Sequence, residues 1–192
     1  MSVLIAIDQG TTSTRTVAFD KDLNIIHSVQ KEYPLIYPND GWVEIDPKEL
    51  MSSVYATIDP VIDVCSDISA IGITNQRETT LVWDADSGEP IYNAIVWQDR
   101  RTADECLRLK EAGFEKSIKT KTGLLLDPYF SATKISWILD NVQGARAKAD
   151  KGKLRFGTVD TFLLWQLSEG SIFKTDVTNA SRTNIYNIHA KE

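Results

Sequence analysis

The 192-residue chain is poor in metal-binding and redox side chains: it has two cysteines and two histidines. Cys65 and Cys106 lie far apart, with only His27 and His189 to join them, which excludes a zinc site. Both cysteines fall in apolar-periodic segments and read as reduced, core or half-buried thiols of a cytoplasmic protein. No uninterrupted apolar run is long enough to span a bilayer. The first residues lack a basic segment followed by an apolar stretch and a cleavage site, and read directly as a core strand. The Asn179-Ala180-Ser181 sequon therefore carries no weight as a glycosylation site. Internal repeats, low-complexity stretches and flexible linkers are also lacking. Basic residues are fewer than acidic ones, 21 against 27, for a net charge of −6. That balance gives no general attraction to nucleic acid or anionic membrane, so an anionic ligand needs a local cluster of donors. What remains is an ordinary globular composition, 42% hydrophobic and 25% charged, long enough for one sizeable domain.

The pattern of elements predicts an α/β fold. Residues 3–8, 14–20 and 24–33 read as successive strands with short links. A loop over 33–45 carries Pro34, Pro38 and Asp40-Gly41 as turn signals. Asp46-Pro47-Lys48-Glu49 is a helix start, with Asp46 as cap and Pro47 at the first helical position. That helix is expected to reach about Cys65, kinked or divided at Pro60. Strands follow over 68–74, 79–83 and 94–97, then helices over 101–112, 114–122, 131–141 and 158–167. Residues 171–188 alternate enough to predict a hairpin. The order gives a mixed sheet flanked by helices. The chain stops at Glu192 just after a strand-like run, which reads as a truncation.

Four clusters carry chemistry. The first is Asp8-Gln9-Gly10-Thr11-Thr12-Ser13-Thr14-Arg15, a tight turn between two strands. Glycine lets the backbone approach closely, hydroxyls and backbone N–H groups donate to phosphate oxygens, and arginine offers a planar fork of donors. A carboxylate at a strand end can hold Mg²⁺ directly or through water. Taken alone, the turn reads equally as a solvated hairpin. The second cluster, Thr74-Asn75-Gln76-Arg77-Glu78-Thr79-Thr80, ends a buried strand, where α/β sheets place ligands. Arg77 and Glu78 can donate to and accept from neighbouring hydroxyls of a polyol; alone, they also read as a surface ion pair.

The third cluster is Ile95-Val96-Trp97-Gln98-Asp99-Arg100-Arg101-Thr102. Trp97 can lay its ring on the C–H face of a small polyol, or serve as a core tryptophan. Asp99 and Arg100 are expected to cap and position the following helix. The fourth runs from Asp127 to Asn141. Tyr129 precedes a helix for which Ser131 is the expected cap, and Lys134 and Trp137 share a face of it. By itself it is an amphipathic helix.

Together these clusters, in order, resemble the FGGY family of carbohydrate kinases, and within it the members that act on glycerol. Tyr129 through Asn141 is similar to a signature of that family. Gly157-Thr158-Val159-Asp160-Thr161 and Thr178-Asn179-Ala180-Ser181-Arg182 also fit. The resemblance implies a ribonuclease H-like, actin-like lobe, with residues 1–192 as the N-terminal lobe of a two-lobed kinase and the second, C-terminal lobe absent. It implies ATP as phosphoryl donor with Mg²⁺, glycerol as acceptor, and a homo-oligomeric parent enzyme. It places Thr11, Thr12, Ser13 and Arg15 at the nucleotide phosphates and Asp8 near the metal. Arg77, Glu78 and Tyr129 fall on glycerol hydroxyls, with Trp97 against the carbon chain. The family's catalytic base lies beyond Glu192, so the isolated chain is expected to be inactive. Two alternatives stay open: a family member acting on another polyol or sugar such as a ketopentose, and a non-catalytic actin-like nucleotide-binding module.

Overall fold

The computed structural model describes residues 2–192, which divide into two compact units. The first comprises residues up to Leu35 together with Ile45–Gln76; the second comprises Ile36–Glu44 and Arg77–Glu192.

The first unit opens with β1 (Val3–Gln9), β2 (Ser13–Phe19) and β3 (Ile25–Glu32). In β1, Val3, Ile5, Ile7 and Gln9 are buried while Leu4 and Asp8 are exposed, the two-residue period of a strand with one covered face. After the short β4 (Glu44–Ile45), α1 (Pro47–Asp63) leads to β5 (Ile68–Thr74). The sheet order is β3-β2-β1-β5. β1 to β3 form an antiparallel meander, whereas β5 is parallel to β1. A parallel neighbour needs a crossover, and α1 supplies it. The strand readings over 3–8, 14–20, 24–33 and 68–74 are borne out, and so is the mixed sheet, but β5 is not the buried strand expected: it lies at the sheet edge with no buried residue.

The helix starts as expected: Asp46 caps α1 by accepting from the Lys48 N–H at 2.8 Å, and Pro47 stands at the first position. Pro60 does not divide it, since the helix continues to Asp63. Pro60 and Ala56, four residues earlier, are both exposed, so water can serve the carbonyl that proline leaves without a donor. Val3, Ile5, Ala18 and Val61 form the core between sheet and helix. A polar seam adjoins it. The Thr16 hydroxyl donates to Thr57 at 2.9 Å, and those of Thr14 and Ser53 share a bond of 2.5 Å. These hydroxyls are buried and satisfied.

The second unit contains β6 (Leu81–Asp84), β7 (Ala94–Ile95), α2 (Ala103–Glu111), α3 (Glu115–Thr122), α4 (Ser131–Asn141), α5 (Ala145–Asp150), β8 (Leu154–Gly157), α6 (Val159–Leu167) and α7 (Val177–Ala180). Its core is built on Val82, Ile95 and Ile138, with Tyr92, Trp137 and Leu154 packed against them. β6 pairs antiparallel with β8, setting Trp83 opposite Arg155. A Cβ at Gly157 would stand 2.7 Å from the Thr161 Cβ and 2.8 Å from the Trp83 ring, so glycine is what lets β8 and α6 close on that ring.

Three expectations are corrected in this unit. Residues 171–188 form no hairpin. Asp176 instead accepts from the N–H groups of Thr178 and Asn179 and caps α7, while Thr175 and Asn179 donate to the buried Asp160 carboxylate. Asp99 does not cap α2. It is buried, accepts from the Val43 N–H at 2.6 Å, and binds Arg101. Ser131 is the first residue of α4 rather than its cap, and its hydroxyl donates to the Glu78 carbonyl at 3.2 Å. Among the described residues, no helix is long and apolar enough to cross a membrane.

Candidate functional site

In the first unit, the turn from Gly10 to Ser13 closes with the Gly10 N–H donating to the Ser13 carbonyl at 2.9 Å. The β1–β2 register sets Asp8 opposite Arg15, and the β1–β5 register sets it beside Thr74. Asp8, Thr12 and Arg15 are exposed; Thr11 and Ser13 are half-buried. The cluster singled out for phosphate is therefore brought together at one end of the sheet.

Its members are pre-oriented. Thr74 donates to Asp8 Oδ1 at 2.8 Å. Arg15 donates from Nε and Nη2 to Gln30 Oε1, at 3.2 and 2.9 Å, and the Gln30 amide donates to the Ser13 hydroxyl at 3.2 Å. A neutral amide thus holds the guanidinium, and an incoming phosphate would replace it with a stronger charge-assisted bond. Among the described residues, no group of three or more acidic, histidine or cysteine side chains could hold a metal ion. A lone carboxylate such as Asp8 still suits Mg²⁺, which keeps several waters and takes its other ligands from substrate phosphates.

Beneath the turn lies a network that sequence reasoning missed. Tyr33 donates its hydroxyl to the Gly10 carbonyl and accepts from the side-chain amides of Gln9 at 2.9 Å and Gln76 at 3.2 Å. The Gln76 amide also reaches the Gly10 carbonyl at 3.0 Å, and Thr14 donates to Gln9 Oε1 at 3.0 Å. Burial pushes the Tyr33 phenol up to about 12. One signal was present in the sequence: Gln9 falls in register with Val3, Ile5 and Ile7, on the buried face.

In the second unit, Glu78 is 3% exposed and sits at a φ of +67°, a left-handed conformation unusual for a residue with a side chain. Its carbonyl accepts from the Thr80 hydroxyl at 3.0 Å, from Ser131 at 3.2 Å and from the Lys134 ammonium at 3.5 Å. Its carboxylate accepts from Arg182 Nε at 2.6 Å. Burial works against the Arg182 charge, but the interactions with Glu78 and Tyr129 together outweigh it, and the guanidinium pKa lies above its usual value. Tyr129 stands edge-on to Trp97, ring centroids 5.7 Å apart. So Glu78, Tyr129 and Trp97 share one neighbourhood, linked through Arg182 and Lys134. Arg77 is exposed, with no hydrogen bond or ion pair among the described residues, so the adjacent pair is not a mutual ion bridge.

Lys134 is fully buried and also donates to the Tyr129 carbonyl at 2.7 Å. Desolvation lowers its pKa to about 7, although Asp99, Glu78 and Asp127 pull the other way. Behind it, Arg101 binds Asp99 at 2.8 Å and Glu44 at 2.7 Å, with no side-chain exposure, and lies 3.9 Å from the Trp42 ring centroid. This buried group was not read from the sequence, where Arg101 was one of two adjacent arginines in a charged turn.

Both groups of residues are carried on a fold shared with sugar-kinase lobes. The fold is of that class: it matches the crystal structure of Plasmodium falciparum glycerol kinase with ADP at a TM-score of 0.93 and 38% identity, covering 100% of this chain and 39% of that one. It also matches a ligand-bound xylulose kinase from Lactobacillus acidophilus at a TM-score of 0.88 and 26% identity, covering 100% of this chain and 38% of that one. The FGGY family of carbohydrate kinases, N-terminal domain, matches residues 3–192, and the chain belongs to that family. The expected ribonuclease H-like, actin-like lobe is thereby borne out.

Among curated proteins, the chain is 57% identical over 189 residues to glycerol kinase of Petrotoga mobilis, covering 96% of this chain and 38% of that protein. It is 58% identical over 193 residues to glycerol kinase of Fusobacterium nucleatum, covering 98% and 39%. The chain thus spans 38–39% of the length of the relatives it matches.

Proposed function

We propose that this chain is the N-terminal part of a kinase that transfers the γ-phosphoryl group of ATP to a terminal hydroxyl of glycerol. The observation that carries the reading is the identity of 57–58% to proteins named glycerol kinase, over nearly the whole chain. The chemistry of both clusters agrees with it. Phosphoryl transfer is largely positioning and charge stabilisation. Thr11, Thr12, Ser13 and Arg15 would hold the nucleotide phosphates, and Asp8 would hold Mg²⁺, which neutralises developing charge between the phosphates. Arg77 would donate to glycerol hydroxyls, Glu78 would accept from them, Tyr129 would add a further hydroxyl contact, and Trp97 would cover the carbon chain. The base that takes the acceptor proton is expected outside this chain, in the part that the relatives possess.

The test is a coupled assay of ADP release by the complete protein, with glycerol and a ketopentose as competing acceptors. The expected result is turnover that depends on glycerol, with little or none from the isolated 192-residue chain. Preference for the ketopentose, or turnover by the isolated chain matching the complete protein, would overturn the reading.

A further inference from the structure

Arg182 closes the segment Thr178-Asn179-Ala180-Ser181-Arg182. The structure ties down the two residues that follow it. The Ala132 N–H donates to the Thr183 carbonyl at 2.9 Å, and the Asn184 amide donates to the Leu125 carbonyl at 3.2 Å. The Thr122 hydroxyl donates to Asn184 Oδ1 at 3.1 Å. Arg182 is thus presented from a braced backbone. Its guanidinium carbon lies 5.1 Å from the Phe130 ring centroid and 5.7 Å from that of Tyr129. Within this frame Nε reaches Glu78 Oε1 at 2.6 Å.

We propose that Arg182 is a positioning residue for acceptor binding, fixing the Glu78 carboxylate and the Tyr129 ring as one preformed receptor for adjacent hydroxyls of a small polyol. The inference rests on the reading above that Glu78 accepts from an acceptor hydroxyl. With Oε1 engaged by Arg182, the other oxygen, Oε2, makes no hydrogen bond among the described residues and is the one offered to the ligand. A buried carboxylate left without its cation would be costly, and would turn or take up a proton rather than wait in place. The guanidinium also lies near the Phe130 and Tyr129 rings and offers a planar fork that a lysine lacks, so charge alone replaces it only in part.

In kinetic terms, Arg182 serves recognition of the acceptor and leaves the nucleotide alone. The experiment compares the complete protein with its R182A, R182K and R182Q variants. It measures KM for glycerol, KM for ATP, kcat, thermal melting, and the preference for glycerol over propane-1,3-diol, which lacks the middle hydroxyl. For R182A and R182Q the expected result is a glycerol KM raised ~10–100-fold, with the ATP KM within about twofold of wild type. The preference over propane-1,3-diol shrinks, and R182K recovers part of both losses. If R182A does not fold, R182K carries the test by the same split between the two KM values. An active wild type whose variants keep the glycerol KM and the preference overturns the inference alone. So does a uniform loss in both KM values that tracks melting, which marks a merely structural role. A wild type inert toward glycerol refutes the functional reading, and this inference with it.

Discussion

Lys134, a residue with no solvent exposure, donates from Nζ to the carbonyl oxygen of Tyr129 at 2.7 Å. A second contact, at 3.5 Å, goes to the carbonyl of Glu78. One buried amine therefore ties together two backbone segments far apart in sequence, each carrying a residue assigned to the acceptor. Burial lowers its pKa from 10.5 to about 7. Between those values the unfolded chain holds a proton that the folded chain has released, so stability rises with pH across the window and is lost as pH falls through 7. In urea unfolding, wild type should gain stability between pH 8 and 9.5 relative to K134M, with a slope approaching ~1.4 kcal/mol per pH unit. Parallel pH profiles would show that Lys134 stays charged in the fold.

Tyr33 makes a second prediction. Its hydroxyl receives two amides and donates to the Gly10 carbonyl. Y33F leaves those groups short of a partner and should cost about 1–3 kcal/mol in chemical denaturation. With burial holding the Tyr33 phenol near 12, spectroscopic titration of the folded protein should lose its most alkaline tyrosine step in Y33F. A variant as stable as wild type would mean that water already serves the two glutamines.

The adjacent residues Arg100 and Arg101 separate by environment. The Arg100 bond to Asp127 joins two exposed side chains, while Arg101 is enclosed with Asp99 and Glu44. R100A should change stability by no more than about 0.5 kcal/mol. D99N should cost ~3–5 kcal/mol, because it leaves Arg101 short of an anion without access to water. Equal losses in a denaturation series would contradict this assignment.

The same contrast applies to two glycines. A methyl group at Gly157 meets Thr161 and Trp83, whereas at Gly113, φ +83°, it meets nothing within 4 Å. G157A should cost about 1–3 kcal/mol through overpacking. G113A should cost ~1 kcal/mol, from backbone strain alone. Melting curves that rank them the other way would count against the β8–Trp83 contact.

The sheet was legible in the sequence because Val3, Ile5 and Ile7 alternate with exposed residues, and Asp46-Pro47 announces the helix that follows. The short strand β8 was not, because four residues between two helices carry little periodicity; it is fixed by pairing with β6 and by Gly157. Asp176 defeated the predicted hairpin over 171–188: the alternation was real, but a local cap and the Asp160 hydrogen bonds outweighed it. The candidate site residues were singled out by side-chain chemistry and by the family resemblance, while the residues that support them were harder to see. Gln9 and Lys134 both fall on buried faces of their elements, and that position, not their side-chain chemistry, marks them as supports. Arg182 acts 104 positions away from Glu78, and only the fold brings them together.

The central claim is that Glu78 receives an acceptor hydroxyl while the turn after Asp8 receives the nucleotide. Steady-state kinetics of E78Q in the complete protein tests it most directly, with glycerol and ATP varied in turn. The account predicts a loss of ~10²-fold or more in kcat/KM for glycerol, with the ATP KM within about twofold of wild type. An E78Q enzyme that keeps its glycerol kcat/KM, or one whose ATP KM rises in step, would contradict it.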